Sequence, residues 1–204
     1  MPDVYMTVQG RSRDTTRAIA ASRVRLGVES SNDWLDGYGP QFIDFPFTDP
    51  DATFEDHLAV VRETRPVLTV APDIEKGRTI DEVTRKADRL LDYADAVIVV
   101  PKDVHPSAVP SRFRVGVTVG DFGSMSPWSL WDYRECGPVH ILGGTPSRQF
   151  EVDKYLSVAS LDTATLGQRS RFGMWDDGSC HAPDEWDYRR RLRESLDNYY
   201  DAWN

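Results

Sequence analysis

Cysteine is nearly absent from this chain. Its 204 residues include two, Cys136 and Cys180. Two thiols leave no room for a disulfide framework, and with no CxxC or CxC pair there is no cysteine-based zinc motif. Lysine is almost as scarce, with 4 against 20 arginines. The acids are skewed the same way, with 24 aspartates against 9 glutamates. The net charge is −9 and the pI is near 4.9. That balance argues against broad, non-specific nucleic-acid binding, although a local arginine cluster can still hold a phosphate. An aspartate-rich, lysine-poor surface suits solvation at high salt and suggests a halophilic host. Codon bias toward GC would leave the same excess of Arg and Asp. No apolar run approaches the roughly 20 residues that span a bilayer, so no membrane partner is expected. The N-terminal MPDVYMTVQGRSR lacks a basic-then-apolar signal pattern, and a cytoplasmic location is the resulting expectation. Repeats, low-complexity segments, GxGxxG and Walker sequences are all missing.

What the chain does contain is a succession of short apolar runs. Eight read as strands: Val4–Val8, Val24–Val28, Phe42–Phe47, Val67–Pro72, Ala96–Pro101, Phe113–Val119, Val139–Leu142 and Val158–Leu161. Amphipathic stretches lie between several of them. Phe54, Leu58 and Val61 follow helical spacing after Thr53. Ile80, Val83, Ala87, Leu90, Leu91 and Ala94 form one apolar face after Thr79, which has Glu82 three residues on as a capping box. A weaker helical signal covers Arg148–Tyr155, and the tail Glu185–Trp203 reads as a helix. Alternating β and α units imply parallel strands with right-handed crossovers. Eight strands in about 160 residues fit a compact α/β fold, a (β/α)8 TIM-type barrel over residues 1–175, with a loop and C-terminal helix in 176–204 packed on it. An open doubly wound sheet is the rival.

In such a barrel the chemistry sits at the C-terminal ends of the strands. Four carboxylates fall there: Asp44 in FIDFPF, Asp73 in TVAPD, Asp121 in VTVGD and Asp162 in ASLDT. Crowded around one mouth, at least one should have a raised pKa. The plainer reading differs by residue: an aspartate at a β-to-α junction, such as Asp73 or Asp121, often caps the next helix, whereas Asp44 lies inside an apolar strand and needs a polar interior. Gly116, Gly120, Gly143 and Gly144 lie in or just after strands, where glycine permits a flat ligand to approach the backbone, or simply makes a tight turn. Trp128, Trp131 and Tyr133 could stack on a base or cover the barrel. The RRRLRE run, Arg189–Arg193, could meet phosphate or be a solvated helix face. Cys180 beside His181 makes a poor metal pair, because no second pair of ligands accompanies it.

In order, these segments resemble the tRNA-guanine transglycosylase family, and most of all its relatives that insert 7-deazaguanines into viral or phage DNA. The stretch HILGGTP, a helix, then SVASLDTATLGQRSRFG is similar to the family's glycine-rich turn, its strand ending in the nucleophilic aspartate, and its arginine-bearing loop. FRVGVTVGD resembles the strand whose backbone meets the base. TVAPD and FIDF resemble the strands carrying the base-pairing and second catalytic aspartates. The likeness covers roughly residues 40–173. The family's CxCxxC…H zinc site, its DSGGFQ signature and an RNA-binding domain are missing, and a glutamine common in the family is replaced on the strand reading VIVVPK. Loss of the zinc and RNA modules points toward DNA rather than tRNA.

The resemblance implies a base exchange by double displacement. Asp162 attacks C1′ of a guanosine, a covalent glycosyl intermediate forms, and a 7-deazaguanine takes the vacated place. Asp44 moves the proton at N9. Asp73 accepts from the guanine edge. Gly116, Val117, Gly120, Asp121, Gly143 and Gly144 line the base, and Arg169 and Arg171 hold phosphate. The target nucleotide must be flipped out or single-stranded. No metal or organic cofactor is implied. Two rivals remain from the residues themselves: another barrel hydrolase using paired carboxylates, and a non-catalytic accessory barrel of a virus or mobile element.

Overall fold

The protein, seen here as a computed structural model, is described at residues 1–8, 12–34, 37–74, 77–119, 127–174 and 182–203. Gly120 and Asp121, expected at the site, and the Cys180–His181 pair lie outside the described residues. Eight parallel strands close into a barrel in chain order: β1 (Asp3–Val8), β2 (Arg25–Glu29), β3 (Phe42–Asp44), β4 (Leu68–Val70), β5 (Ala96–Val99), β6 (Arg114–Thr118), β7 (Val139–Leu142) and β8 (Val158–Thr163). The expected TIM-type fold is therefore present, with shorter strands than the apolar runs suggest. The helices are α1 (Arg13–Ala20), α2 (Phe54–Thr64), α3 (Ile80–Leu91), α4 (Pro146–Asp153), α5 (Thr165–Arg171) and α6 (Tyr188–Asp201). After β5 and β6 the described chain forms only short 3-10 segments, Pro106–Ala108 and Leu130–Tyr133. This thin outer layer is how a closed barrel fits into so few residues.

Two periodicities build the two layers. Alternate strand residues such as Val4, Met6, Val8, Leu26, Val28 and Ile43 point outward and pack under the helices. Their neighbours Tyr5, Phe42, Leu68, Val70, Ile98 and Val100 fill the barrel itself. Helix starts follow their capping chemistry. The side chains of Ser12, Thr53, Thr79 and Asp187 accept from backbone amides three residues on, each worth about 1 kcal/mol. Helix α2 ends at Arg65, whose φ of 45° is left-handed and stops the helix.

Two helices depart from the sequence expectation. Helix α1 was not foreseen, because its buried face is Thr15, Thr16, Ala18 and Ile19 rather than large apolar residues. The stretch after Asp162 was expected as a loop and forms α5 instead. Leu166, Gly167 and Ser170 are its buried face, so a glycine occupies its interior. Helix α6 closes the outside against α1 and α5.

One irregularity decides where the chemistry points. Val139 pairs with Val158, but His140 pairs with Ser160, leaving Ala159 as an extra residue in β8. Val158 packs in the outer layer. Without the bulge, strict alternation would send residues 160 and 162 outward as well. The extra residue reverses the parity, so Leu161 faces the outer core while Ser160 and Asp162 turn into the barrel.

Candidate active site

The mouth is built from the last inward residues of several strands. Asp162 on β8 is 6% exposed. Two donors and a histidine nitrogen converge on it. The Thr7 hydroxyl donates to Oδ2 at 3.3 Å. The Gly143 amide donates to Oδ1 at 3.1 Å. His140 Nε2 lies 3.4 Å from the same oxygen. Gly143 reaches this position through a left-handed φ of 64°, which glycine adopts without steric cost. Gln149 on α4 holds the turn from behind, donating to the carbonyls of Gly143 (2.7 Å) and Asp162 (2.8 Å). Its own carbonyl accepts from the Tyr199 hydroxyl of α6. The C-terminal helix is thereby tied to the turn that presents Asp162.

Asp44 ends β3, half-buried, with its Oδ1 accepting from the Phe45 amide at 2.9 Å. Burial pushes its pKa well above the usual carboxylate value, and the charges of Asp162, Glu29 and Asp73 add to the rise. Glu29, paired across the β2–β3 ladder with Asp44, is raised too, chiefly by burial. Asp73 is 2% exposed and ion-paired through Oδ2 with Lys102, beyond the end of β5. Lys102 stands on the segment VIVVPK, where the resembled family often carries glutamine. The structure thus brings Asp44, Asp73 and Asp162 to one mouth, with one of them strongly raised.

Beneath this acidic ring, aromatic rings close the barrel. Tyr5 and Phe42 have ring centroids 5.4 Å apart, and Phe42 and His140 5.5 Å. Gly27 makes this possible, since a Cβ there would come within 2.8 Å of Phe42 Cδ1. The mouth is therefore a cup with a floor and not a pore.

Several expected base-lining positions do other work. Gly116 faces inward, but a Cβ would meet Ile98 Cγ2 and Val100 Cγ2 at 2.8 Å and Leu142 Cδ1 at 2.9 Å. Its backbone is sealed by side chains and is not open to a purine. Val117 points the other way, into the outer core, because side chains alternate along β6. Thr118 is the β6 residue nearest the mouth. Gly144, at φ 84°, packs on Val119, leaving 2.7 Å between a hypothetical Cβ and Val119 Cγ2. Gly143 serves Asp162 directly. Arg169 and Arg171 lie on α5, and exposed Arg171 lines a cavity of about 70 Å³ with Thr7, Ser12, Thr15, Gln168 and Tyr188. That space abuts the site but is too small for a nucleobase.

The aromatic candidates separate as well. Tyr133 is core. Trp128 donates to the Pro101 carbonyl at 2.8 Å. Trp131 is 63% exposed under the Arg134 guanidinium. In the RRRLRE run, Arg191 is committed to the carbonyls of Ser170 and Trp186 and Arg193 to Glu194. The residues missed from sequence are Thr7, Glu29, Lys102, Arg114, His140 and Ser160. A signal was present for the last two: each is a polar residue in an otherwise apolar strand, VHIL and VASLD.

Comparison with known proteins adds fold and family. The family model that matches, over residues 25–204, is described as a family of unknown function, DUF6610. No curated protein matches the sequence. Among solved structures, a putative fructose-1,6-bisphosphate aldolase from Coccidioides immitis is similar at 10% identity and a TM-score of 0.57, covering 98% of this chain and 88% of that one. The YdjI aldolase from Escherichia coli K12 is also 10% identical, with a TM-score of 0.49 over 96% and 87% of the two chains. At this identity the first likeness establishes a barrel of the kind that enzymes use, and nothing about the reaction. No helix among the described residues is long and apolar enough to cross a membrane.

Proposed function

Because this chain belongs to DUF6610, a family of unknown function, we propose its reaction from the mouth itself: glycosyl transfer at an N-glycosidic bond, with Asp162 as nucleophile and Asp44 as general acid and base. The observation that carries this is the contrast between the two carboxyls. Asp162 is held by two donors and faces the His140 ring, while burial and its neighbours raise the pKa of Asp44. A carboxyl that holds its proton more tightly, set beside one anchored by donors, is how one site supplies both an acid and a nucleophile.

In this reading Asp162 forms a bond to C1′ as the bond from C1′ to N9 of guanine breaks. Asp44 donates its proton to the departing base. A second base then enters, gives a proton back to Asp44 and displaces Asp162. The resemblance to the guanine transglycosylases supplies the substrate class: guanine in nucleic acid, DNA before tRNA, exchanged for a 7-deazaguanine. In this reading Asp73, held by Lys102, accepts from the base's donor edge. To reach Asp162 the target nucleotide leaves the base stack or is single-stranded.

The experiment is incorporation of radiolabelled guanine into duplex DNA, single-stranded DNA and tRNA at high salt, wild type beside Asp162→Asn. Label taken up only by wild type supports exchange and identifies the polymer. Release of free base without uptake supports the hydrolase reading instead, and no change in any polymer supports a non-catalytic barrel.

A further inference from the structure

Behind Asp162, polar side chains from three adjacent strands form a line through the barrel interior, where branched aliphatic residues normally pack. Arg114 Nη1 on β6 donates to Ser160 Oγ on β8 at 2.7 Å. Ser160 Oγ is 2.6 Å from His140 Nδ1 on β7. His140 Nε2 then faces Asp162 Oδ1. Ser160 and His140 are both fully buried. Burying this many polar groups is costly unless their hydrogen bonds agree in direction.

The directions can be worked out from the two ends that have no choice. A guanidinium only donates, so Ser160 Oγ accepts from Arg114; at the other end the Asp162 carboxylate only accepts, so His140 Nε2 donates to Oδ1 and Nδ1 is left to accept the Ser160 proton. The ring proton therefore sits on Nε2, aimed at Asp162. The opposite tautomer would set a lone pair of His140 against the carboxylate oxygen and leave the serine proton without its acceptor. Burial lowers the His140 pKa and keeps the ring neutral, so a single proton defines its polarity.

We propose that the Arg114–Ser160–His140 line is a positioning relay: it fixes the His140 proton on Nε2 and, with the Gly143 amide, anchors Oδ1 of Asp162 so that Oδ2 is the attacking oxygen. Among the described residues, Oδ1 receives two donors and Oδ2 the Thr7 hydroxyl alone. In the glycosyl ester Oδ2 bridges to C1′ while Oδ1, as the carbonyl oxygen, keeps both donors. When the ester bond breaks, those donors receive the returning negative charge. The resting 3.4 Å contact is long, and catalytic hydrogen bonds shorten once substrate binds. The β8 bulge is what makes the relay possible, since it turns both Ser160 and Asp162 inward. The assignment of Oδ2 rests on the proposed reaction, whereas the tautomer does not.

The test has two independent arms. Long-range proton–nitrogen NMR on the wild-type protein, with the His140 signals identified through His140→Gln, reads which ring nitrogen carries the proton. Nε2 protonation in wild type, with the proton redistributed between the two nitrogens in Ser160→Ala, is the expected result. A proton on Nδ1 in wild type overturns the relay whatever the enzyme does. In the exchange assay, Ser160→Ala should lower kcat by about tenfold to a hundredfold with KM unchanged, as expected for a misaligned nucleophile. An unaltered kcat in a folded Ser160→Ala protein overturns the positioning role. If wild type exchanges no base at all, the proposed reaction fails, and the NMR arm still decides the relay.

Discussion

The charge of Asp162 raises the pKa of Asp44 across the barrel mouth, adding to the effect of burial. Asp44, at the end of β3, therefore holds its proton to higher pH than a free carboxyl, and the proposed acid role rests on that.

Replacing Asp44 by asparagine is expected to stabilise the protein while removing activity. In the unfolded chain this carboxyl ionises near 3.8, and in the folded chain only at higher pH. Its contribution is fully present below the unfolded value and is lost as pH rises through the folded one. Asp44→Asn should thus unfold at a higher temperature at pH 7, by about 1 kcal/mol, with no gain below about pH 4. In wild type, kcat/KM should fall on the alkaline side as Asp44 loses the proton it donates. Thermal melts and a pH–rate profile check both, and a less stable Asp44→Asn protein at pH 7 would contradict the raised pKa.

His57 gives a pH dependence of the opposite sense. It is 1% exposed, and burial lowers its pKa from 6.5 to about 4. Thr69 donates to the Ile43 carbonyl at 2.8 Å and accepts from His57 Nε2 at 3.1 Å, tying α2 to β3 and β4. The unfolded chain binds the proton first, so stability present above pH 6.5 is lost as pH falls toward 4, by roughly 3 kcal/mol in all. Urea unfolding at pH 7 and pH 4.5 should show this loss in wild type and a much smaller one in His57→Gln.

Gly116→Ala distinguishes packing from base contact. The new methyl would meet three side chains below 3.0 Å, and overpacking of this kind costs about 1–3 kcal/mol. The expected outcome is lower stability with KM for the base unchanged. A raised KM in a protein of normal stability would restore the substrate-lining role.

Gly143→Ala tests the donor on Asp162. Nothing lies within 4 Å of the added methyl, so the cost comes from the backbone at φ 64°, about 1 kcal/mol. Because the amide aimed at Oδ1 tilts with the backbone, kcat should fall by roughly tenfold. A stopped-flow or initial-rate comparison against Gly77→Ala, a left-handed glycine also free of contacts within 4 Å, separates local strain from a loss specific to the site.

The barrel was legible because its strands are short apolar runs at regular intervals, and because Thr53 and Thr79 announce the helices that follow. Asp44, Asp73 and Asp162 were legible as strand-end carboxylates. What sequence could not reveal was parity. The extra residue at Ala159 turns Ser160 and Asp162 inward, and no composition or spacing marks it. The resemblance of FRVGVTVGD puts Val117 beside the base, yet its side chain faces the outer layer. Helix α1 escaped notice because threonine and alanine make up most of its buried face. Lys102 and His140 became meaningful only once closure of the barrel set them against Asp73 and Asp162.

The most direct measurement is capture of the covalent intermediate. Wild type is incubated with guanine-containing DNA, quenched in denaturant, digested and examined by mass spectrometry. A glycosyl adduct on the peptide bearing Asp162, absent in Asp162→Asn and discharged by added base, is the expected result. Turnover with no adduct at Asp162, or an adduct on another carboxylate, would contradict the assignment of the nucleophile.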